Sequence, residues 1–270
     1  MKINYSKITS RQNQLIKTVV SLRDKKNRDS LSLFFTEGTT LFIEAVRAGN
    51  IPQKIFILDT KTEYFNQIFS SLPELKDAEL DVYSLTESVF EKISTEKGCE
   101  GIISLHCFLD ETEKIQSILS SKNKDHRFII LENIQNPGNV GTILRTAKAL
   151  SIDAVLLCKS ADVYSPKTTR ASMGAVFIQP FLVFDDIESC ISFAKQKCEK
   201  IYASALSSDA KNVNEVSFRN GCALIIGNEG NGLSEKALSL ADEKLIIPIS
   251  EMESLNAAIA ASIFMWEMKR

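Results

Sequence analysis

From residue 127 onward the chain alternates short, nearly unbroken apolar runs with stretches of helical periodicity. The runs are FIIL, AVLLC, AVFIQPFLVF (broken at Pro180), KIYASAL, CALIIG and KLIIPI. Runs of this length without polar alternation predict strands buried on both faces, as in a mostly parallel sheet with helices on either side. The earlier part predicts a smaller α/β unit. It has helices near 13–23 and 39–48, a strand at KIFIL, and short elements at LDVYSL, SVFEKIS and GIISLH. Between the two halves, 110–125 is polar and charged around one short apolar patch. The expected organisation is therefore an amino-terminal domain over 1–109, a linker over 110–125 and a second domain over 126–270. No internal repeat or low-complexity tract interrupts it.

Three loops in the second half follow apolar strands and are rich in Gly, Asn, Ser and Glu: IQNPGNVG, NEGNGLSE and SEMESLN. Ligands of parallel sheets bind in loops beyond the strands' carboxyl ends, so these three form the candidate site. In the first, the glycines permit close backbone approach and Asn139 is expected to cap the helix that follows. The apolar face of that helix is Ile143, Leu144, Ala147 and Leu150, which leaves Arg145 off the face near the first turn. A cation there opposes the helix dipole by about 0.3 to 1 kcal/mol, so a carboxylate or phosphate is expected to hold it. Glu229, in the second loop, is the candidate carboxylate. That loop lacks the Lys-Ser/Thr of a phosphate loop and the spacing of a dinucleotide fingerprint. In the third loop Ser254 and Asn256 are capping residues at the start of a helix carrying Ile259, Ile263 and Trp266. Alanines on its other side suit a buried or intersubunit position.

Composition changes this picture little. The 270 residues are 44% hydrophobic and 24% charged, ordinary for a folded protein of two domains. No apolar run is long enough to span a bilayer and the start MKINYSKITSRQ has no apolar signal core, so a cytoplasmic protein without a membrane is expected. The six cysteines form no C-x-x-C pair; reduced core thiols are expected for Cys99, Cys107, Cys158, Cys190, Cys198 and Cys222. His106 and His126 are the only histidines, too few for a histidine-rich metal centre, and both are expected to be structural. No metal is expected.

Charge is more informative in its distribution than in its sum of −2. Residues 1–30 carry eight basic side chains against Asp24 and Asp29, a net +6 that leaves −8 in the remainder. A local patch of this kind attracts phosphates, because screening limits the relevant field to roughly 8 to 10 Å. Lys17, Arg23, Lys25 and Lys26 are candidate phosphate contacts there, and Lys167 and Arg170 are further basic candidates in the later stretch SPKTTRASMGAVF, beside Ser172.

NPGNVGTILRTA, LIIGNEGNGLS and IIPISEMESLNAAIAAS, in that order over about 130 residues, resemble the three motifs of the SpoU (TrmH-type) branch of the SPOUT methyltransferases. SPKTTRASMGAVF, between the first two, also resembles the family. ITSRQNQLIK and FFTEGTTLFIEAV are similar to the substrate-binding domain that precedes many members and is akin to RNA-binding ribosomal proteins. The resemblance implies an S-adenosylmethionine-dependent 2′-O-ribose methyltransferase of structured RNA, a homodimer, and a trefoil knot in the carboxyl-terminal segment. It places Asn139, Arg145, Glu229, Ser254 and Asn256 at the catalytic centre. It places the methyl donor among Leu206, Gly227, Ile247 and Leu255. The stretch 251–253 is more acidic than a surface beside RNA calls for.

Arginine is often named as the base in this family, but a guanidinium with a pKa above 12 does not readily accept a proton. Arg145 is therefore expected to clamp the phosphate beside the target ribose and to stabilise charge on the 2′ oxygen, with Glu229 orienting it. Ribosomal RNA is preferred to transfer RNA as substrate, because the appended domain suits a large folded target. Two other readings stand beside this one: a non-catalytic RNA-binding assembly factor on the same scaffold, and a dinucleotide-dependent oxidoreductase, which the glycine spacing disfavours.

Overall fold

The computed structural model describes every residue except Lys97, Cys99, Lys122, Arg219 and Glu253. Cys99 of the expected thiols and Glu253 of the acidic stretch thus lie outside the described residues. The chain divides into two compact units, one of Met1–Leu109 with Tyr164–Phe177, the other of Asp110–Val163 with Ile178–Arg270.

The first unit runs β1 (Lys2–Ile8), α1 (Gln14–Ser21), α2 (Lys25–Leu31), β2 (Leu33–Glu37), α3 (Thr39–Arg47), β3 (Lys54–Leu58), α4 (Thr62–Ser71), β4 (Glu79–Leu85), α5 (Glu87–Ile93) and β5 (Ile102–Cys107). Its sheet has the order β1-β4-β3-β5-β2; β1, β4 and β3 are parallel, and β5 runs antiparallel to β3 and β2. The period-two alternation of β3 makes a two-sided core. Phe56 joins Ile16, Val19, Val89 and Phe90 from α1 and α5, while Ile55 and Ile57 join Phe42, Val46, Phe65 and Phe69 from α3 and α4.

β1 and α2 were not visible in the hydrophobic pattern, for a physical reason. β1 is an edge strand with only Ile8 buried, so it has no apolar face to show. In α2 the buried residue is a cation: Arg28 donates to the carbonyls of Leu22 at 2.6 Å and Arg23 at 2.8 Å, closing the end of α1.

The second unit runs α6 (Thr112–Ser120), β6 (Arg127–Glu132), α7 (Pro137–Ala149), β7 (Ala154–Cys158), then β8 (Phe181–Phe184), α9 (Ile187–Lys195), β9 (Lys200–Ser204), β10 (Lys211–Asn212), β11 (Cys222–Ile226), α10 (Glu235–Leu240), β12 (Glu243–Ile246) and α11 (Ala257–Lys269). The sheet has the order β10-β12-β9-β11-β6-β7-β8, and every pairing is parallel. β7 and β11 are buried at every position, as the unbroken apolar runs predict. One face packs on α6, α9 and α10. α7 and α11 pack together over β6, β7 and β11.

Three expectations change here. The stretch 110–125 is not bare linker: its apolar patch is α6, whose Ile115 and Ile118 lie three apart on one helical face and join the core of the second unit. AVFIQPFLVF is one strand only at its end, β8. Its AVF part is a 3-10 turn following Met173 and Gly174, both at positive φ, and Pro180 offers no N–H to a ladder.

The segment Tyr164–Phe177, with α8 (Pro166–Ser172), is the third: lying within 126–270, it belongs to the first unit. There Tyr164 stacks on Phe108 at 4.2 Å, and Gly174 lies where a Cβ would fall 2.5 Å from that of Glu44.

Among the described residues, no helix is long and apolar enough to cross a membrane, and no group of His, Cys, Asp and Glu has a metal-ligating arrangement. Cys158, Cys190, Cys198 and Cys222 are buried free thiols, with burial pushing Cys222 up to about 12 and Cys190 and Cys198 upward as well. Cys107 departs from the expected core position: it ends β5, is exposed, and accepts a hydrogen bond from Gln53 Nε2.

Candidate active site

The site is built where β6, β11 and β12 deliver their loops at the carboxyl edge of the second unit's sheet. The first helix starts earlier than its sequence suggests. Asn136, not Asn139, is the N-cap of α7, accepting from the Gly138 amide at 2.8 Å, with Pro137 at the first helical position. Asn139 is thereby released for tertiary work. Although it is buried, its Nδ2 donates to Glu229 Oε1 at 2.7 Å and its Oδ1 accepts from Asn256 Nδ2 at 3.1 Å. Asn256 is the N-cap of α11, its Oδ1 accepting from the amides of Ala258 at 2.9 Å and Ile259 at 3.3 Å.

The bonds form a directed chain from the amino terminus of α11 through Asn256 and Asn139 to Glu229. Helix amides occupy the oxygen of Asn256, so its amide must point its donors at Asn139, whose own donors then face the carboxylate. A carboxylate held by a charge-assisted bond from an oriented amide keeps its second oxygen for another partner.

Arg145 is placed differently from its expected position. It lies in the middle of α7, exposed, so the dipole argument for its first turn does not apply. No ion pair joins it to Glu229 among the described residues; the hydrogen bond to that carboxylate comes from Asn139. Ser254 is exposed and is not the cap of α11.

A cavity of about 540 Å³ adjoins this chain, and its walls include Leu206, Gly227, Ile247 and Leu255 together with Glu229 and Ser254. Its size falls in the range of small-molecule sites, and its walls mix aliphatic side chains with glycine-rich backbone. Gly227 makes the cleft possible. A Cβ there would lie 2.5 Å from the carbonyl carbon of Gly232 and 2.6 Å from the Leu233 nitrogen, so a side chain would push the two arms of the turn apart. Apolar walls suit an adenine ring, and open backbone groups and the carboxylate suit a charged amino-acid tail. The residues present thus fit a bent adenosyl sulfonium.

Of the basic candidates, Lys17, Lys26 and Lys167 are exposed. Lys25 pairs with Asp29 at 2.6 Å. Arg23 spends its guanidinium on the carbonyls of Lys92 and Ser94, both at 2.9 Å. Arg170 pairs with Glu96 at 2.5 Å and donates to Thr95 Oγ1 at 2.9 Å. Two residues outside the sequence-based candidates shape the site. Glu132, buried at the end of β6, accepts from the Ser234 amide at 2.9 Å and hydroxyl at 2.7 Å, fixing the start of α10. Asn228 organises the turn bearing Glu229. The only sequence signal for either was its place at the end of an apolar run.

Fold and site together define an α/β protein with a ligand cleft at the carboxyl edge of a parallel sheet, of the kind that serves ribose methyl transfer. Residues 126–266 match the model of the SpoU rRNA Methylase family, and residues 13–104 match an MRM3-like substrate binding domain. The chain belongs to the SpoU rRNA methylase family. It is 31% identical to the 23S rRNA (guanosine(2553)-2′-O)-methyltransferase RlmP of Bacillus subtilis, over 97% of this chain and 98% of that one. A crystal structure of an RNA 2′-O ribose methyltransferase superposes with a TM-score of 0.79 at 26% identity, covering 97% and 98% of the two chains. The fold is also that of an AdoMet-bound rRNA methyltransferase from Sinorhizobium meliloti, with a TM-score of 0.82 at 24% identity and coverage of 98% and 97%.

Proposed function

We propose that this chain transfers the methyl group of S-adenosylmethionine to a ribose 2′ oxygen of ribosomal RNA. The observation that carries the reading is the meeting of three distant loops: Asn139, Glu229 and Asn256 are hydrogen-bonded in one chain beside a cleft walled by Leu206, Gly227, Ile247 and Leu255. When bound, the donor supplies an electrophilic methyl on a positively charged sulfur. The ribose hydroxyl is a weak nucleophile, so the protein must hold it in line and give its proton a path out.

Asn256 and Asn139 fix the Glu229 carboxylate, and Ser254 on the cleft wall offers a hydroxyl to the donor or the ribose. Arg145, exposed and without an ion pair to Glu229, clamps an RNA phosphate and stabilises charge on the 2′ oxygen. Lys17, Lys25, Lys26 and Lys167 supply phosphate contacts that position the RNA. Arg23 and Arg170 hold the surface that presents them.

The same reading includes the trefoil threading of the carboxyl-terminal segment, a cytoplasmic location and a homodimer. The outer face of α11 supports the dimer: Ala257, Ala258 and Ala261 are buried while Ile259 and Trp266 remain 52% and 55% exposed.

The test is methylation of ribosomal RNA with labelled S-adenosylmethionine and mapping of ribose methylation in total RNA from a deletion strain. Loss of one ribosomal 2′-O-methyl mark is expected. Calorimetry showing no S-adenosylmethionine binding would favour the non-catalytic assembly factor, and loss of a transfer RNA mark would move the substrate. Single-turnover rates of Arg145→Ala and Arg145→Lys examine the clamp. Both should bind donor normally and both should be slow, and lysine restoring the full rate would remove the role of the planar fork.

A further inference from the structure

Glu229 sits in a turn whose shape is set by its neighbour. The backbone of Asn228 exchanges both its hydrogen bonds with Gly232, each at 3.0 Å. Its Oδ1 accepts from the Gly230 amide at 2.9 Å and the Asn231 amide at 3.0 Å, folding the turn around the side chain. Its Nδ2 donates to the Asn133 carbonyl at 2.8 Å. Asn133 follows β6 with a φ of +55°, a left-handed conformation that asparagine tolerates, and its amide is held by the Cys158 carbonyl at 3.0 Å. Its carbonyl is thus fixed in space, and the turn after β11 hangs from it. The far end of the same turn is tied separately, by Ser234 to Glu132.

We infer that Asn228 is a positioning residue for methyl transfer: through Asn133 it sets the direction in which the turn presents Glu229 to Asn139. The inference rests on the proposed ribose methylation. Its Oδ1 is engaged within the turn and its Nδ2 donates to Asn133, so it acts through the carboxylate rather than on the reacting atoms. The bond to Asn133 selects orientation, whereas the bonds to Gly230 and Asn231 maintain the turn. Substitutions can separate the two. Asn228→Asp keeps an acceptor for both amides but turns an oxygen toward the Asn133 carbonyl, replacing attraction with repulsion. Asn228→Ser keeps a short acceptor and adds no charge.

The experiment is a double-substitution cycle measured by single-turnover methylation of ribosomal RNA, with donor affinity by calorimetry and thermal midpoints for each protein. Asn228→Asp should slow transfer about ten-fold or more, the scale of one buried hydrogen bond lost with its partner left unpaired. S-adenosylmethionine affinity should stay within about three-fold, since the bonds that shape the cleft wall remain. In a Glu229→Ala background the same substitution should add nothing, because the group being aimed is gone. Asn228→Ser should follow the same pattern and serves if the aspartate variant does not fold. Equal slowing in both backgrounds, or a loss explained entirely by weaker donor binding, overturns the inference while leaving the proposed function intact. A wild-type protein that binds donor but methylates no ribose overturns both.

Discussion

Replacing Asn139 by aspartate changes one NH2 group to an oxygen and leaves the side chain's shape alone. In the wild-type site that NH2 lies 2.7 Å from Glu229 Oε1. The variant sets two carboxylate oxygens at that distance, where the repulsion is about 1.5 kcal/mol in a water-like dielectric and about 6 kcal/mol at an effective dielectric of 20. Glu229 is exposed, so screening keeps the cost toward the lower figure. Asn256 can still donate to the new carboxylate, and α11 keeps its cap. The damage is therefore confined to the direction of Glu229. About 2 kcal/mol expressed in the transition state is roughly a thirty-fold loss of rate.

The assay is single-turnover methylation across pH, divided by the wild-type rate at each pH. Two carboxylates this close share a proton as pH falls, and the shared O–H restores a donor where the amide had been. The ratio of variant to wild type should therefore rise toward acid. A variant with wild-type rate, or a ratio that does not change with pH, would refute the assignment of the amide as the group that holds Glu229.

Further outcomes follow from the rest of the molecule. Gly227→Ala must displace backbone at 2.5 Å, costing about 1 to 3 kcal/mol as overpacking; calorimetry should show at least ten-fold weaker S-adenosylmethionine binding, and unchanged affinity would mean that the cleft tolerates an open turn. His106 is fully buried, with Nδ1 bonded to Asn50 Oδ1 at 2.7 Å and Nε2 to Thr36 Oγ1 at 3.2 Å, and burial pushes it down to about 3. Unfolding lets it take a proton below about pH 6.5, so stability falls with acidification between about 6.5 and 3 by about 1.4 kcal/mol per unit, or about 2 kcal/mol at pH 5. Urea unfolding should show this slope diminished in His106→Leu; an identical slope would assign the acid sensitivity elsewhere. Saturating S-adenosylmethionine at about a hundred times its Kd should add about 2.7 kcal/mol of stability, read as a rise in thermal midpoint.

How much of this was legible in the chain depends on whether burial was local. The runs AVLLC and CALIIG announced strands because every residue of β7 and β11 is buried. The three polar loops after such runs announced a site, because a parallel sheet leaves its carboxyl-edge loops as the place where backbone groups stay free. β1 gave no such signal, being an exposed edge held by pairing with β4. α2 gave none because its buried residue is an arginine satisfied by carbonyls of the preceding helix. The place of Arg145 along α7 depends on which residue caps the helix: Asn136 and Asn139 are both good caps by type, and only the turn geometry selects Asn136.

By itself the sequence determined the class of fold, the loops that carry chemistry and the residue types available in them, since these follow from local periodicity and from what each side chain can donate or accept. Tertiary structure decided which of them meet. Asn139 bonds to one residue 90 positions away and to another 117 positions away, and no local pattern encodes such a pairing, because it depends on the order in which β6, β11 and β12 enter the sheet. That order gives Glu229 to Asn139 and leaves Arg145 without it.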